Sequence, residues 1–277
     1  MTMIKAALAP FGMEVSGLDI QAISASSFNK IAHLIASSRV LVFRDQTLDD
    51  ASFVQFLQGL GALTFTEGET PVENFPDLNV VSNMGRQTPP RSVFHTDTSY
   101  VMRPPSFTAL RPVILPAKGG DTLFSDQVRA ASSLPEKMRH FLAGRTVMHT
   151  ATGLDGQTEN TRQPLFRQHG VTGETALFLS TPKRCTDLSG VDALTSQRIL
   201  AALYKYSIRA STLYRHVWKE GDVLIWDNRV TMHRADHGDV TEDRVLHRGM
   251  VMGEIPLMAE AVVEKRRLSA SGHTTVV

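Results

Sequence analysis

The sequence contains a single cysteine, Cys185, in 277 residues. One thiol excludes a disulfide framework and any multi-thiolate zinc site within the chain. An excess of charge is also missing: 29 Lys and Arg stand against 28 Asp and Glu, a formal net charge of +1. That balance argues against a broad basic surface, so no nucleic-acid partner is expected. No apolar run approaches the roughly 18 residues that would span a bilayer, so no membrane partner is expected either. The first apolar stretch breaks at Pro10 and Gly12 and is followed by Glu14 and Asp19, which makes a poor secretory leader. A cytoplasmic location is the expectation. Repeats and low-complexity tracts are absent. Chemistry therefore has to come from the ten histidines and their neighbours.

The hydrophobic pattern predicts helices early, strands through most of the chain and one later helix. Met13–Ile20 reads as a strand. Ile31, Leu34 and Ile35 have helical spacing within 29–37, and Val40–Phe43 is a short buried strand. Asp49 or Asp50 caps a second helix with Phe53, Phe56 and Leu57 on one face and Gly59 or Gly61 as its stop. Strands are predicted at 78–84, 107–115, 122–125, 144–149, 163–168 and 175–180, then at 213–217, 222–226, 229–234 and 244–252. Between these groups, 192–206 is a helix with Leu194, Ile199, Leu200 and Leu203 on its apolar face. A parallel βαβ series would need a helix after most strands. The fold class expected is thus mainly β, a sandwich or barrel with helices packed outside. No two-domain linker appears, so residues 1–277 read as one domain with a peripheral tail from about 258. Residues 65–76 and 150–163 read as long loops.

The sharpest local feature is FHTDTSY at 94–100. In an extended segment, residues two apart point to one side, so His95 and Asp97 can offer an imidazole and a carboxylate to one ion. His233, in WDNRVTMH at 226–233, is the strongest candidate for a third ligand. Two imidazoles and a carboxylate on one face suit Fe(II) with open positions for further ligands. Zinc also accepts such ligands, but the sequence has no HExxH helix. His216 beside Trp218 reads as structural.

Those segments, with GGDT at 119–122 and RVLHR at 244–248, stand in the same order as in the TauD/TfdA family, which the chain resembles from about Leu18 to Pro256. That family holds the taurine and 2,4-dichlorophenoxyacetate dioxygenases, which depend on Fe(II) and 2-oxoglutarate. The resemblance implies a double-stranded β-helix, or jelly roll, of the clavaminate synthase-like type. It implies His95, Asp97 and His233 as metal ligands and catalytic centre. It places Thr122 and Arg244 on the distal carboxylate of 2-oxoglutarate, and Arg248 on an anionic group of the prime substrate. Elementary chemistry agrees: a guanidinium fork grips a carboxylate through two charge-assisted hydrogen bonds, and a hydroxyl adds a third donor. On a strand, Arg244, Leu246 and Arg248 share one face.

The implied reaction consumes O2 and 2-oxoglutarate, releases succinate and CO2, and hydroxylates a C–H bond of a small anionic substrate, a sulfonate, aryloxyalkanoate or related carboxylate. An oxygenase of a biosynthetic pathway acting on an amino acid is the alternative; a non-catalytic metal-binding jelly roll is a remote one. One departure bears on substrate. The taurine enzyme has a histidine where this chain reads Leu63-Thr64-Phe65-Thr66, and an asparagine with no counterpart around Arg91. Phe65, Thr66, Asn83 and Phe94 are therefore candidates to shape a less polar pocket. The resemblance also implies a homo-oligomer, a dimer or tetramer.

Overall fold

A computed structural model describes residues 4–84, 93–152, 158–238 and 240–260. The chain opens with strands β1 (Ile4–Ala7) and β2 (Met13–Ser16). Helix α1 (Phe28–Ser38) leads to β3 (Val40–Phe43), then α2 (Asp50–Leu60), whose N-terminus is capped by Asp49 through the Ser52 N–H. Short β4 (Leu63–Thr64) and β5 (Pro71–Val72) precede β6 (Phe75–Ser82), β7 (Phe107–Ile114) and β8 (Thr122–Asp126). Helices α3 (Gln127–Ser132) and α4 (Glu136–Leu142) follow. Next come β9 (Thr146–Thr150), β10 (Asn160–Pro164), β11 (Phe166–Gln168), β12 (Thr175–Leu177) and β13 (Cys185–Leu188). After α5 (Ala193–Ser207) come the last strands among the described residues, β14 (Leu213–His216), β15 (Val223–Asp227), β16 (Thr231–Ala235), β17 (Val245–Val251) and β18 (Leu257–Met258).

Two sheets make the jelly roll. The larger runs β1-β2-β3-β15-β7-β17-β6-β5, with β4 also on β17; the smaller runs β14-β8-β16. Period-two alternation sorts the side chains. In β3 and β15, Val40, Val42, Leu224 and Trp226 face inward, where they meet Phe124, Tyr214 and Leu246 between the sheets. Leu41, Phe43, Val223 and Ile225 face the other way, against α1 and α2 through Ile31, Ile35, Phe53 and Leu57. Each such apolar side chain contributes about 1.5–3 kcal/mol on burial. A third cluster joins α3 and α5 to the smaller sheet and to β9–β13 through Leu123, Met232, Leu165 and Leu200.

Several expectations are corrected. Helices α3 and α4 were hidden because each is short, six and seven residues. Residues 17–20 leave the first strand for a 3-10 turn at Ile20–Ala22. Segment 65–76 contains β5 and the start of β6, and segment 150–163 contains the start of β10. Residues 153–157 of the latter lie outside the described residues. In α5, Leu194 is exposed, and Ser196 and Ser207 join Leu200 and Leu203 on the buried face. Its Ser196 hydroxyl earns that place by accepting the Leu188 N–H at 2.7 Å.

His149 in β9 is fully buried, with Nδ1 2.9 Å from Ser99 Oγ and its ring stacked on Phe178. Burial pushes its pKa down to about 3, and burial also lowers that of His216 in spite of Asp222 beside it. The unfolded chain takes up these protons near pH 6.5, whereas the folded chain resists until the pH is far lower. Stability from His149 is therefore full above about pH 6.5 and is lost as pH falls toward about 3, and that from His216 is lost in the same direction. Thermal melts should show the midpoint falling below roughly pH 6.5, and His149→Asn should flatten the fall. A midpoint that stays level down to about pH 5 would contradict this.

Candidate active site

His95 reaches the smaller sheet through two backbone hydrogen bonds. Its N–H donates to His233 O at 3.0 Å, and His233 N–H donates to His95 O at 2.9 Å. This antiparallel bridge ties two segments 138 positions apart and brings their rings to 4.3 Å between centroids. Asp97, two residues on, turns to the same side. Asp97 Oδ1 lies 3.5 Å from His95 Nε2 and 3.7 Å from His233 Nε2. The three donor atoms all fall within 4.8 Å of one another. His95 Nδ1 is 3.0 Å from Val93 O, so that nitrogen carries the proton and Nε2 is left with its lone pair toward the cluster.

The carboxylate is held by a chain of hydrogen bonds. Trp226 Nε1 donates to Asn228 Oδ1 at 2.9 Å, Asn228 Nδ2 donates to Thr108 Oγ1, and Thr108 donates to Asp97 Oδ2 at 2.9 Å. Oδ2 is thus occupied by protein, and Oδ1 faces the imidazoles. Burial pushes the Asp97 carboxyl up, but attraction to a His233 that is protonated in acid, with His95 and the Arg248 guanidinium beside it, outweighs that and holds it far below the usual range. Burial drives His233 down to about 3, against the pull of Asp97. One ionised carboxylate and an uncharged His233 are the forms that bind a metal. Thr108 was not singled out by sequence. Its signal is parity alone: it shares the inward face of β7 with Leu110, as a polar residue that is fully buried. Thr108→Val should preserve the fold and weaken Fe(II) binding about 10- to 100-fold in an anaerobic titration. An unaltered affinity would remove Thr108 from this role.

Arg244, immediately before β17, and Leu246 and Arg248, on it, line the same cavity of about 300 Å³ as the His-Asp-His cluster. Arg244 is buried, and its Nε donates to Gly120 O at 2.8 Å. Gly120 has φ +76°, and a Cβ there would stand 2.8 Å from Arg244 Cδ. The second glycine of GGDT is therefore required both for the turn and for the passage of the guanidinium. Among the described residues Arg244 makes no ion pair. Burial lowers its pKa to about 10, only partly offset by Asp121. A buried cation with an unpaired fork calls for an anion. Thr122 also lines the cavity, with its Oγ1 accepting from Trp218 Nε1 at 3.1 Å. That leaves the hydroxyl hydrogen available to a ligand.

The remaining predicted residues divide. Thr66 is buried and lines the cavity. Phe94 does not; it packs with Leu123, Leu177 and Leu203 in the α5 cluster, and its carbonyl accepts from Tyr204 Oη at 3.0 Å. Alternation accounts for it, because the side chain next to His95 must point away from the metal cluster. Asn83 does not line the cavity either. Its Oδ1 accepts from the Arg244 N–H at 2.7 Å and its Nδ2 donates to Glu242 O at 2.9 Å, so it anchors the start of β17. Phe65 is likewise outside the lining. Arg91 lies outside the described residues. Tyr100, which flanks the metal-binding segment in sequence, lines it, and so do Glu69 and Arg184, which sequence did not assign to a pocket. Arg248 donates to Glu69 Oε2 at 2.7 Å and stands 3.6 Å from Asp97 Oδ1.

The profile of the family described as "Taurine catabolism dioxygenase TauD, TfdA family" matches residues 5–250. The chain belongs to the TauD/TfdA family. It is 29% identical to an alpha-ketoglutarate-dependent 2,4-dichlorophenoxyacetate dioxygenase of Burkholderia sp. (strain RASC), over 87% of this chain and 91% of that protein. It is 29% identical to an alpha-ketoglutarate-dependent sulfate ester dioxygenase of Pseudomonas putida, over 89% and 88% respectively. Among solved structures, a taurine dioxygenase from Burkholderia xenovorans superposes with a TM-score of 0.83 at 29% identity, covering 94% of each chain. The TauD/TfdA jelly roll thus accounts for the architecture, and the protein is an enzyme of the dioxygenase class. No helix among the described residues is long and apolar enough to cross a membrane.

The donor set fits the metal and cosubstrate of this family. Two imidazoles and one carboxylate form a triad suited to non-haem Fe(II), and the open fork of Arg244 fits the far carboxylate of a dicarboxylic oxo acid.

Proposed function

We infer that the protein is an Fe(II)- and 2-oxoglutarate-dependent dioxygenase that hydroxylates a C–H bond of a small anionic organic substrate. The observation that carries this is the sharing of one cavity by the His95-Asp97-His233 cluster and a buried Arg244 that makes no ion pair among the described residues. A metal-binding module would need the first and not the second. When bound, Fe(II), 2-oxoglutarate and O2 together supply an oxidising centre that releases succinate and CO2.

The protein's own side chains do the placing. His95, Asp97 and His233 would hold the metal on one side and leave the opposite side to the cavity. The Trp226-Asn228-Thr108 chain fixes which Asp97 oxygen faces it. Arg244 and the Thr122 hydroxyl would orient the cosubstrate by its far carboxylate. Arg248, Thr66 and Tyr100 border the remaining space, where a substrate anion and its carbon chain would lie. Leu110, Trp226 and Leu246 form an apolar wall that limits water around the reacting carbon.

The aryloxyalkanoate and sulfate-ester relatives support an anionic substrate class. A panel of aryloxyacetates, aryloxypropionates, alkyl sulfonates, sulfate esters, taurine and amino acids, read by succinate release, tests it. Stimulation by an anion other than an amino acid is the expected outcome. Stimulation by amino acids alone would favour a biosynthetic oxygenase.

A further inference from the structure

Arg248 is filled from within the chain. Its Nη2 donates to Glu69 Oε2 at 2.7 Å, and its Nη1 lies 3.6 Å from Asp97 Oδ1. One guanidinium therefore stands between two carboxylates. Arg244, just before β17 and lining the same cavity, makes no such pair among the described residues. The two arginines offer an incoming anion different things: an open fork at Arg244 and an occupied one at Arg248.

The two partners in the Arg248 pair differ in freedom. The Arg248 side chain is 11% exposed and rises from the middle of β17, which is hydrogen-bonded to β6 and β7 on both sides. The Glu69 side chain is 32% exposed and sits in a turn outside the strands. That turn is closed by the Glu69 N–H donating to Thr66 O at 3.2 Å, and Gly68 takes φ +83°. Glutamate is the member that can leave, and arginine the member that stays. A substrate anion placed on Arg248 with Glu69 still present would bring three negative groups around one cation. Like charges at that range repel, and the newcomer would find the Nη2 donor already used.

We propose that Glu69 is a specificity-determining residue whose carboxylate holds the position on Arg248 that the prime substrate's anionic group takes, so that substrate binds by exchange with it. This rests on the dioxygenase reading above. The exchange sets a threshold. An uncharged molecule cannot free Arg248, and an anion is accepted only if it meets the guanidinium better than the tethered carboxylate does. Selection against neutral and weakly accepting molecules is the consequence.

The test uses the full chain loaded with Fe(II) and 2-oxoglutarate under argon, with methanesulfonate as an anionic probe and dimethyl sulfone as its uncharged counterpart, both read by calorimetry. Glu69→Gln should bind methanesulfonate about five- to tenfold more tightly than the unaltered protein, with Glu69→Ala moving the same way. Adding Arg248→Gln should erase the gain, and dimethyl sulfone should not distinguish the variants. Equal methanesulfonate affinity with and without Glu69, including no measurable binding in either, overturns the proposal. So does weaker binding in Glu69→Gln, which would make the carboxylate a support that orients Arg248 for the anion and not its competitor. The visible band of the iron–oxo-acid complex keeps the two claims apart. Its absence in the unaltered protein removes the dioxygenase reading, and methanesulfonate affinity on the iron-free chain then still decides the exchange.

Discussion

Asp97→Ala is expected to abolish 2-oxoglutarate-dependent succinate release while leaving a folded protein. Three losses coincide at this position. The cluster keeps two imidazoles but loses its only anionic ligand, so a divalent cation is held by neutral donors alone. The Thr108 hydroxyl loses its acceptor at 2.9 Å, and the Trp226-Asn228-Thr108 chain ends on nothing. Arg248 loses one of its two flanking carboxylates. Removing an outer hydrogen-bond partner of a metal ligand costs about 10- to 100-fold, so loss of the ligand itself should exceed roughly a thousandfold in turnover. Succinate release and a thermal melt, measured side by side, separate a lost centre from a lost fold. Turnover within tenfold of the unaltered enzyme would remove Asp97 from the ligand set.

Arg244→Ala should chiefly raise the concentration of 2-oxoglutarate required. The guanidinium is buried, its one polar contact among the described residues is Nε with Gly120 O, and its pKa is lowered to about 10 by burial, only partly offset by Asp121. A bound carboxylate would supply the missing charge and accept from both Nη groups. Truncating one partner of a buried charge pair costs about 2–5 kcal/mol, roughly 30-fold to several thousandfold in apparent affinity. Arg244→Lys keeps a charge without the fork and should recover only part of this. The dependence on prime substrate at saturating 2-oxoglutarate should change far less. An unaltered 2-oxoglutarate requirement in Arg244→Ala would show that the anion lies elsewhere in the cavity.

How far the sequence carries this picture depends on the reach of each signal. Alternation within single strands was legible: the pattern alone placed Arg244, Leu246 and Arg248 on one face, and all three line the cavity. The helices with long apolar faces, α1, α2 and α5, also appear near their expected positions, and Asp49 is the cap of α2. Short helices α3 and α4 did not, because six or seven residues hold too little periodicity to separate from a strand or loop. The His-Asp-His cluster was legible because two of its members lie two residues apart and motif order supplied the third. What sequence could not supply was partnership across distant segments. Thr108 lies 11 residues from Asp97 and Asn228 lies 120 from Thr108, and no local pattern links them. Glu69 and Arg248, 179 positions apart, are joined only when β17 and the turn before β5 meet. The same limit explains Phe94 and Asn83. The missing counterparts of the taurine enzyme's histidine and asparagine suggested a pocket role for both, whereas the packing of α5 and the start of β17 claims those side chains.

We infer that His95, Asp97 and His233 hold Fe(II) in a cavity where Arg244 anchors 2-oxoglutarate. Anaerobic addition of Fe(II) and 2-oxoglutarate to the purified protein, followed by visible absorption, decides this. A weak charge-transfer band should appear in the unaltered protein, be missing in Asp97→Ala, and require far more 2-oxoglutarate in Arg244→Ala. A folded, unaltered protein that shows no band with both present, or a band indifferent to Asp97→Ala, would contradict the account.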